Sequence, residues 1–562
     1  MVPGRAAPGT RRDLVTCAAM RQLARVLSST LLSATLIGGC GKKKSEPAAT
    51  GSASAGNVLA SLGKGNTEGG GEFTPTTKGF KFQNYGNDEA YENLSAAELQ
   101  RMFGPGVCAS GEGDTCILTP PGEQWRQEIN KIMGGGHCEG MAVLSLLFQL
   151  GKADPTAFGA KSAIDLEIKD NKKLQREIAV WWATQVLIGP SRKRGTPVEM
   201  VDELTRALKV GDESYTLAFF KSDGTGGHAT TPYAVVDKSD TETWIMHYDN
   251  NFPGQEKHIA IDRKANTWKY FTASNPKEPG ESYDGDATTQ TLLLGPTSAR
   301  LKQYPCPFCG DIDPDAPADT AGTTGSRTIL SEGDADLMIT DDTGKRIGRA
   351  GGKVVNEIAG ADVVQIASSA LHPDPEPIYR IPNGHKLTVT LDGSSLKSKE
   401  PTDVSLVAPG YTLGVYGVAL SPGEKDEIDF SADWKEVTYK TDKDETPELE
   451  IGIETAGADY AFVVNAGGET GGQRIDLSVD AKAGTFSVQA TAKDGSATYE
   501  VEVHRIDKAG EQVFKHKGVA SGGNDRFVFH YADWKGDGQP MKAGLDKGGD
   551  GSIDEDEELT DE

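Results

Sequence analysis

Cys138 stands in Gly134-Gly135-Gly136-His137-Cys138-Glu139-Gly140-Met141, directly ahead of an apolar run from Met141 to Leu150. A thiol on the first turn of a helix meets the positive end of the helix dipole and unpaired backbone N–H groups, and both favour the nucleophilic thiolate. Later the chain reads Gly226-Gly227-His228-Ala229, then two strand-like runs, then Tyr248-Asp249-Asn250-Asn251. A thiol, an imidazole and a carboxylate or amide are the parts of a nucleophile, a general base and an orienting group. Cys138, His228 and Asp249 are the candidates for these roles, with Asn250 as the alternative to Asp249. His137 is expected to point away from its neighbour's thiol. Glu139 sets a negative charge beside it, which works against a thiolate.

The elements that must position these residues change period along the chain. Helices are expected over Ser95 to Met102, Glu123 to Met133, Glu139 to Leu150, Leu174 to Val186 and Pro197 to Leu208, the last opened by Thr196-Pro197. Thr216 to Phe220, Pro232 to Val236, Thr243 to Tyr248, His258 to Ile261 and Trp268 to Phe271 read as strands of an antiparallel meander. Asp237-Lys238-Ser239-Asp240 is the turn of one hairpin. Centred between Lys238 and Ser239, it sets His228 opposite Asp249, with Cβ atoms about 5 Å apart.

The Cys138, His228 and Asp249 settings resemble the papain-like cysteine peptidase superfamily, in particular its bacteriocin-processing members. The resemblance implies an α+β domain over 80–310 with a central helix on an antiparallel sheet, and a thiolate–imidazolium pair attacking an acyl carbon. The family carries a Gln a few residues before the nucleophile as oxyanion donor. None is so close here, which leaves Asn130, Gln127 and Gln124, with the Cys138 backbone N–H as the second donor.

The start of the chain reads as an export signal. Arg21 and Arg25 precede an apolar stretch from Val26 to Ile37 that ends in Gly38-Gly39-Cys40. This resembles a bacterial lipoprotein signal over 1–40, with Cys40 acylated after cleavage and Met20 a cleaner start than Met1. The expected location is the bacterial cell envelope, with a lipid anchor in the membrane. Residues 41–79, rich in Ser, Gly, Ala and Thr, read as a flexible tether. Of the seven cysteines, Cys17 and Cys40 fall in the signal region. Cys108 with Cys116 and Cys306 with Cys309 are expected to form disulfides in an oxidising compartment, or alternatively a four-Cys zinc site, leaving Cys138 unpaired. A formal charge of −25 over 562 residues argues against nucleic acid as a partner.

Beyond a linker at 311–326 the sequence alternates apolar and polar residues with frequent Gly and Asp turns, so an all-β, sandwich-like region follows. Gly417-Val418-Ala419 and Phe430-Ser431-Ala432-Asp433-Trp434-Lys435 return as Gly518-Val519-Ala520 and His530-Tyr531-Ala532-Asp533-Trp534-Lys535. Two related modules, 327–440 and 441–540, are expected, or one larger sandwich with a recurring corner. The acidic tail, 541–562, places Asp546, Asp550, Asp554 and Glu557 at positions 1, 5, 9 and 12 of an EF-hand-like loop, so weak Ca²⁺ binding is expected there. No cofactor is required for thiol chemistry. The expected function is an exported cysteine hydrolase acting on peptide or protein. The alternatives are a transglutaminase-type acyl transferase and a binding protein that keeps a degenerate domain.

Overall fold

The helices form where capping and burial agree. In α1 (Ala96–Phe103) the Ser95 N–H donates to Glu98 at 3.0 Å, closing a capping box, and Leu99, Met102 and Phe103 are buried. α2 (Pro120–Ile132) is capped by Thr119, with Pro in its first turn. α3 (Cys138–Gln149) is buried along its whole length, which is why it reads as an apolar run rather than a stripe. α4 (Lys172–Leu187) and α5 (Pro197–Val210) follow, the latter with a Thr196–Glu199 capping box and a left-handed Gly211 at its end, and a single helical turn, Pro75–Lys78, precedes α1. A computed structural model describes residues 57–62, 72–87, 90–273, 275–312, 325–350, 353–368, 376–467, 472–491, 496–536 and 538–562. The signal segment and Cys40 lie outside the described residues. Among the described residues no helix is long and apolar enough to cross a membrane.

The strands of the first region are β1 (Asn57–Ser61), β2 (Cys108–Ser110), β3 (Ile117–Leu118), β4 (Lys193–Arg194), β5 (Tyr215–Phe219), β6 (His228–Asp237), β7 (Glu242–Tyr248), β8 (Glu256–Asp262), β9 (Thr267–Thr272), β10 (Glu281–Asp286) and β11 (Leu292–Pro296). β2 and β3 pair with each other. The rest form one sheet in the order β10-β9-β8-β7-β6-β5-β11-β4, with β1 also on β6. Alternation along β5 decides what each face meets: Leu217 and Phe219 join the core under α5, whereas Ala218 joins the cluster around Cys138. The central helix α3 docks on β6 through Thr231, whose Oγ1 donates to the Ala142 carbonyl at 2.9 Å.

Helix α3 meets α4 at Gly140, where a Cβ would collide with the Ile178 carbonyl oxygen. Gly140→Ala is therefore expected to destabilise the fold by about 1–3 kcal/mol, read as a lower urea midpoint with an unchanged slope.

Two expectations are corrected here. The tether 41–79 contains β1, because Val58-Leu59-Ala60 is a short apolar run that the Ser- and Gly-rich average hides. It pairs antiparallel with β6, Asn57 opposite Asp237. The hairpin register also differs. Asp237 pairs with Thr243 and Val236 with Trp244, so the turn centres on Asp240. A bulge between Pro232 and Ala234 then brings Thr231 opposite Tyr248. β7 ends at Tyr248, and Asp249 is not a ladder partner of His228.

The described residues are mostly β, with 42% strand against 20% helix, and residues 326–559 account for much of it. They form two sheets of nine and eleven strands around one core that runs from Ile329 to Leu559. Hairpins alternate between the sheets. Glu400–Ala408 with Tyr411–Leu420 lies in the first, Lys425–Phe430 with Glu436–Glu445 in the second, Glu448–Ile453 with Asp459–Gly467 in the first again, and so on. The internal repeat is structural: Gly417 and Gly518 are left-handed residues at matching bulges. Trp434 and Trp534, each 3% exposed, anchor the same core. The two halves are one body, since the strand Glu436–Glu445 crosses position 440 and the core is continuous. The acidic tail belongs to it too, supplying the strands Met541–Asp546 and Glu555–Leu559.

Candidate active site

Three elements converge on the sulfur. α3 begins at Cys138, β6 begins at His228, and Asp249 opens the turn after β7, where the Phe252 N–H donates back to the Asp249 carbonyl at 3.0 Å. His228 Nε2 lies 2.8 Å from Asp249 Oδ1. The Cys138 sulfur lies close enough to act on the same ring electrostatically, after Asp249. Asp249 is itself held on all sides. Its Oδ1 accepts the Asn251 N–H at 2.9 Å, and its Oδ2 accepts the Tyr270 hydroxyl at 2.6 Å and the Thr272 hydroxyl at 3.3 Å. Burial favours a neutral imidazole, but Asp249 and then the Cys138 sulfur outweigh it and push His228 up to about 10. Burial also opposes the Asp249 charge. The His228 imidazolium overrides it and holds the carboxyl well below the usual range.

The neighbours of the thiol are accounted for. Glu139 turns away into a buried ion pair with Arg300 and accepts the Thr216 hydroxyl at 3.1 Å, so its charge is answered by a guanidinium rather than facing the sulfur. The His137 ring stacks on Tyr85, with Nδ1 2.7 Å from the Tyr85 carbonyl and Nε2 2.8 Å from Asn93 Oδ1. Asn250 does not orient His228. Its Nδ2 donates to the Cys138 and Ala229 carbonyls, both at 3.0 Å, and so ties the start of α3 to β6.

The oxyanion candidates named from the sequence are elsewhere. Asn130 is bonded to the backbone of Leu94 through both its oxygen and its nitrogen, Gln124 to Glu128, and Gln127 to Glu123. The amide at the site is Asn84, on the segment that crosses between the Asn250 turn and the start of α3. Its N–H donates to the Asn250 carbonyl at 3.0 Å and its Oδ1 accepts the His137 N–H at 2.7 Å. Its Nδ2 is buried without a partner, 2.8 Å from where a Cβ on Gly136 would stand. No spacing rule finds a residue so far upstream; only the fold brings it in.

A further segment was not foreseen. Val364–Ser368, entering from the sandwich, runs between α4 and the loop before β6 and covers the thiol. Ala367 shares a buried cluster with Cys138, Ala218 and Ala229. Cys138, His228 and Asp249 are each 0% exposed, so the sulfur is closed to solvent in this arrangement of the strap.

Cys108–Cys116 and Cys306–Cys309 are disulfides, and Cys138 is the free cysteine among the described residues. The four thiols of a zinc site are therefore engaged in pairs. The tail carboxylates are not gathered. Asp546 accepts the Asp550 and Gly551 N–H groups, Asp554 accepts the Lys547 N–H, and Glu557 lies in the last strand. Among the described residues there is no group of three or more His, Cys, Asp or Glu side chains arranged to hold a metal ion. No protein-family model, no curated protein and no solved structure matches the chain.

Proposed function

We propose that this chain is a papain-like cysteine hydrolase that breaks peptide bonds, exported and held in the cell envelope by a lipid on Cys40. The observation that carries the reading is the buried His228–Asp249 pair, 2.8 Å apart, whose imidazole is also acted on by the Cys138 sulfur at the start of α3. Cys138 is the nucleophile, and His228 passes its proton to the leaving amine and later takes one from water. Asp249 keeps the imidazole charged and aimed. The Cys138 backbone N–H and Asn84 Nδ2 are the donors for the oxyanion. Export is supported by two disulfides, which persist in oxidising compartments. A polypeptide substrate is supported by Gly135, Gly136 and Gly227, whose missing side chains leave room for a main chain beside the thiol.

The test uses Ala367→Pro, which removes the N–H that ties the strap to α4 and opens the cleft. Cys138 in that variant is expected to react with iodoacetamide at pH 6, well below the range of an ordinary thiol near 8.5. Adding His228→Ala is expected to move the reaction up to the ordinary range. Identical profiles with and without His228 would sink the proposal.

A further inference from the structure

A second cluster of reactive side chains lies where α2 meets the sandwich. α2 packs on the strands Glu400–Ala408 and Tyr411–Leu420, and its Trp125, Ile129 and Ile132 share a core with Leu330, Ile378 and Val407. From this helix Lys131 reaches across to Asp403, its Nζ 3.1 Å from Oδ2. The same nitrogen donates to Glu128 Oε1 at 2.9 Å and lies 5.6 Å from the centre of the Tyr416 ring. Glu332, half exposed, stands further out at 3.7 Å. The side chains of Glu128, Asp403 and Lys131 are 2%, 7% and 21% exposed, so an amine and two carboxyl groups meet largely away from water.

The two oxygens of Asp403 are held differently. Oδ1 accepts the Gly417 N–H at 2.8 Å, whereas Oδ2 faces the amine. The division comes from a β-bulge. Between the pairs Thr402–Val418 and Val404–Val415, Asp403 alone stands against Tyr416 and Gly417, and Gly417 is left-handed with φ +70°. Glu128 is fixed by Gln124, whose Nε2 donates to Oε1 at 2.7 Å, and burial pushes its carboxyl upward against the pull of Lys131. An amine, a carboxyl group polarised at its far oxygen and a buried acid are the parts of an amide-forming site. We propose that Lys131 and Asp403 join through a side-chain amide, an isopeptide bond that the folded chain forms by itself with Glu128 as proton carrier. The site is separate from Cys138 and needs none of its chemistry.

Overall, an ammonium and a carboxylate become an amide and one water, and no co-reactant is needed. In the buried pair a proton first passes from Nζ to Oδ2, because two neutral groups cost less to keep from water than two charges. The neutral amine then adds to Cγ, the carbon that carries Oδ2, and negative charge collects on Oδ1 opposite the Gly417 N–H. Protonated Glu128 gives its proton to the Oδ2 hydroxyl and regains one from the nitrogen, so it ends as it began. The Cγ–Oδ2 bond breaks, and that oxygen leaves as water. The fold favours the step by holding the two groups in contact and by replacing a buried charge pair with an amide. The bond ties α2, and with it the glycine segment that leads to Cys138, to the sandwich.

The experiment maps peptides of the full chain by mass spectrometry after reduction and complete tryptic digestion. An amide on Lys131 blocks cleavage there, so residues 127–152 are expected joined to residues 400–425 as one branched species. That species is lighter than the two peptides together by one water, and fragmentation is expected to place the branch on Lys131 and Asp403. Lys131→Arg is expected to give no branch, and Glu128→Gln to slow its appearance after synthesis about 100-fold. A parent chain whose residues 127–131 are all released as a free, unmodified peptide overturns the proposal, as does a branch onto Glu128 or Glu332. A branch that forms in Glu128→Gln as fast as in the parent overturns the role of Glu128.

Discussion

Replacing Asp249 with Asn in the Ala367→Pro background is expected to slow the reaction of Cys138 with iodoacetamide about 100-fold at pH 6, with the difference closing toward pH 9. The imidazolium of His228 survives complete burial because a carboxylate stands 2.8 Å from Nε2. An amide keeps the hydrogen bond and removes the charge, so the pair with Cys138 reverts toward neutral thiol and imidazole. At pH 6 an unassisted thiol is ionised to roughly one part in 300, which sets the size of the loss, and near pH 9 it ionises without help. A packing defect would lower the rate equally at every pH. Stability carries the same signature with a definite sign. His228 is raised to about 10 in the fold, so its contribution is complete below an unfolded value of about 6.5 and is lost as the pH climbs through about 10. Asp249, depressed by the same pairing, contributes above about 4 and loses that contribution as the pH falls through its lower folded value. Urea midpoints measured across pH should show both flanks in the parent and neither in D249N.

Arg300→Met is expected to cost about 3–5 kcal/mol. Arg300 and Glu139 are each 1% exposed, so removing the guanidinium leaves a carboxylate buried beside Cys138 with the Thr216 hydroxyl and the nearby Arg192 charge, which does not pair with it directly, to answer it. Replacing both partners, Glu139→Gln with Arg300→Met, is expected to recover most of the loss, because the costly species is the unpaired charge and not the absent bridge. Thermal or urea unfolding of the two variants checks this. Placed in the Ala367→Pro background, Arg300→Met should also slow the alkylation at pH 6, since the Glu139 charge one residue from Cys138 loses its direct partner.

How far the sequence carries is visible in particular residues. α1 and α5 were legible because Ser95 with Glu98, and Thr196 with Glu199, write their own capping boxes. The buried α3 was legible as an uninterrupted apolar run. The partnership of His228 with Asp249 was also legible, but by a route the structure replaces. The turn centres on Asp240 and a bulge intervenes, so the two are not opposite in the ladder and meet because the chain leaves β7 and turns. β10 and β11 escaped notice: β10 has too many polar residues to read as a strand, and β11 ends in Gly295-Pro296, which reads as a turn. Asn84, Arg300 and the strap at 364–368 carry no local pattern. Their roles come from tertiary contacts with α3, and no window of sequence contains both sides of such a contact.

The alternating hairpins have a last consequence. A sandwich that lengthens one hairpin at a time, first on one sheet and then on the other, has no built-in terminus, and its final strands would template another copy in an open-ended polymer. Residues 555–562 work against this on both sheets. Glu555, Asp556, Glu557 and Glu558 lie exposed on the last strand of one sheet, where a second copy would set like charges against each other. On the other sheet Asp561 and Glu562 bond to the backbone of Lys515 in the outermost strand, filling pairing positions that an incoming strand would need. The carboxylate-rich segment that resembles a calcium loop thereby blunts an edge of each sheet.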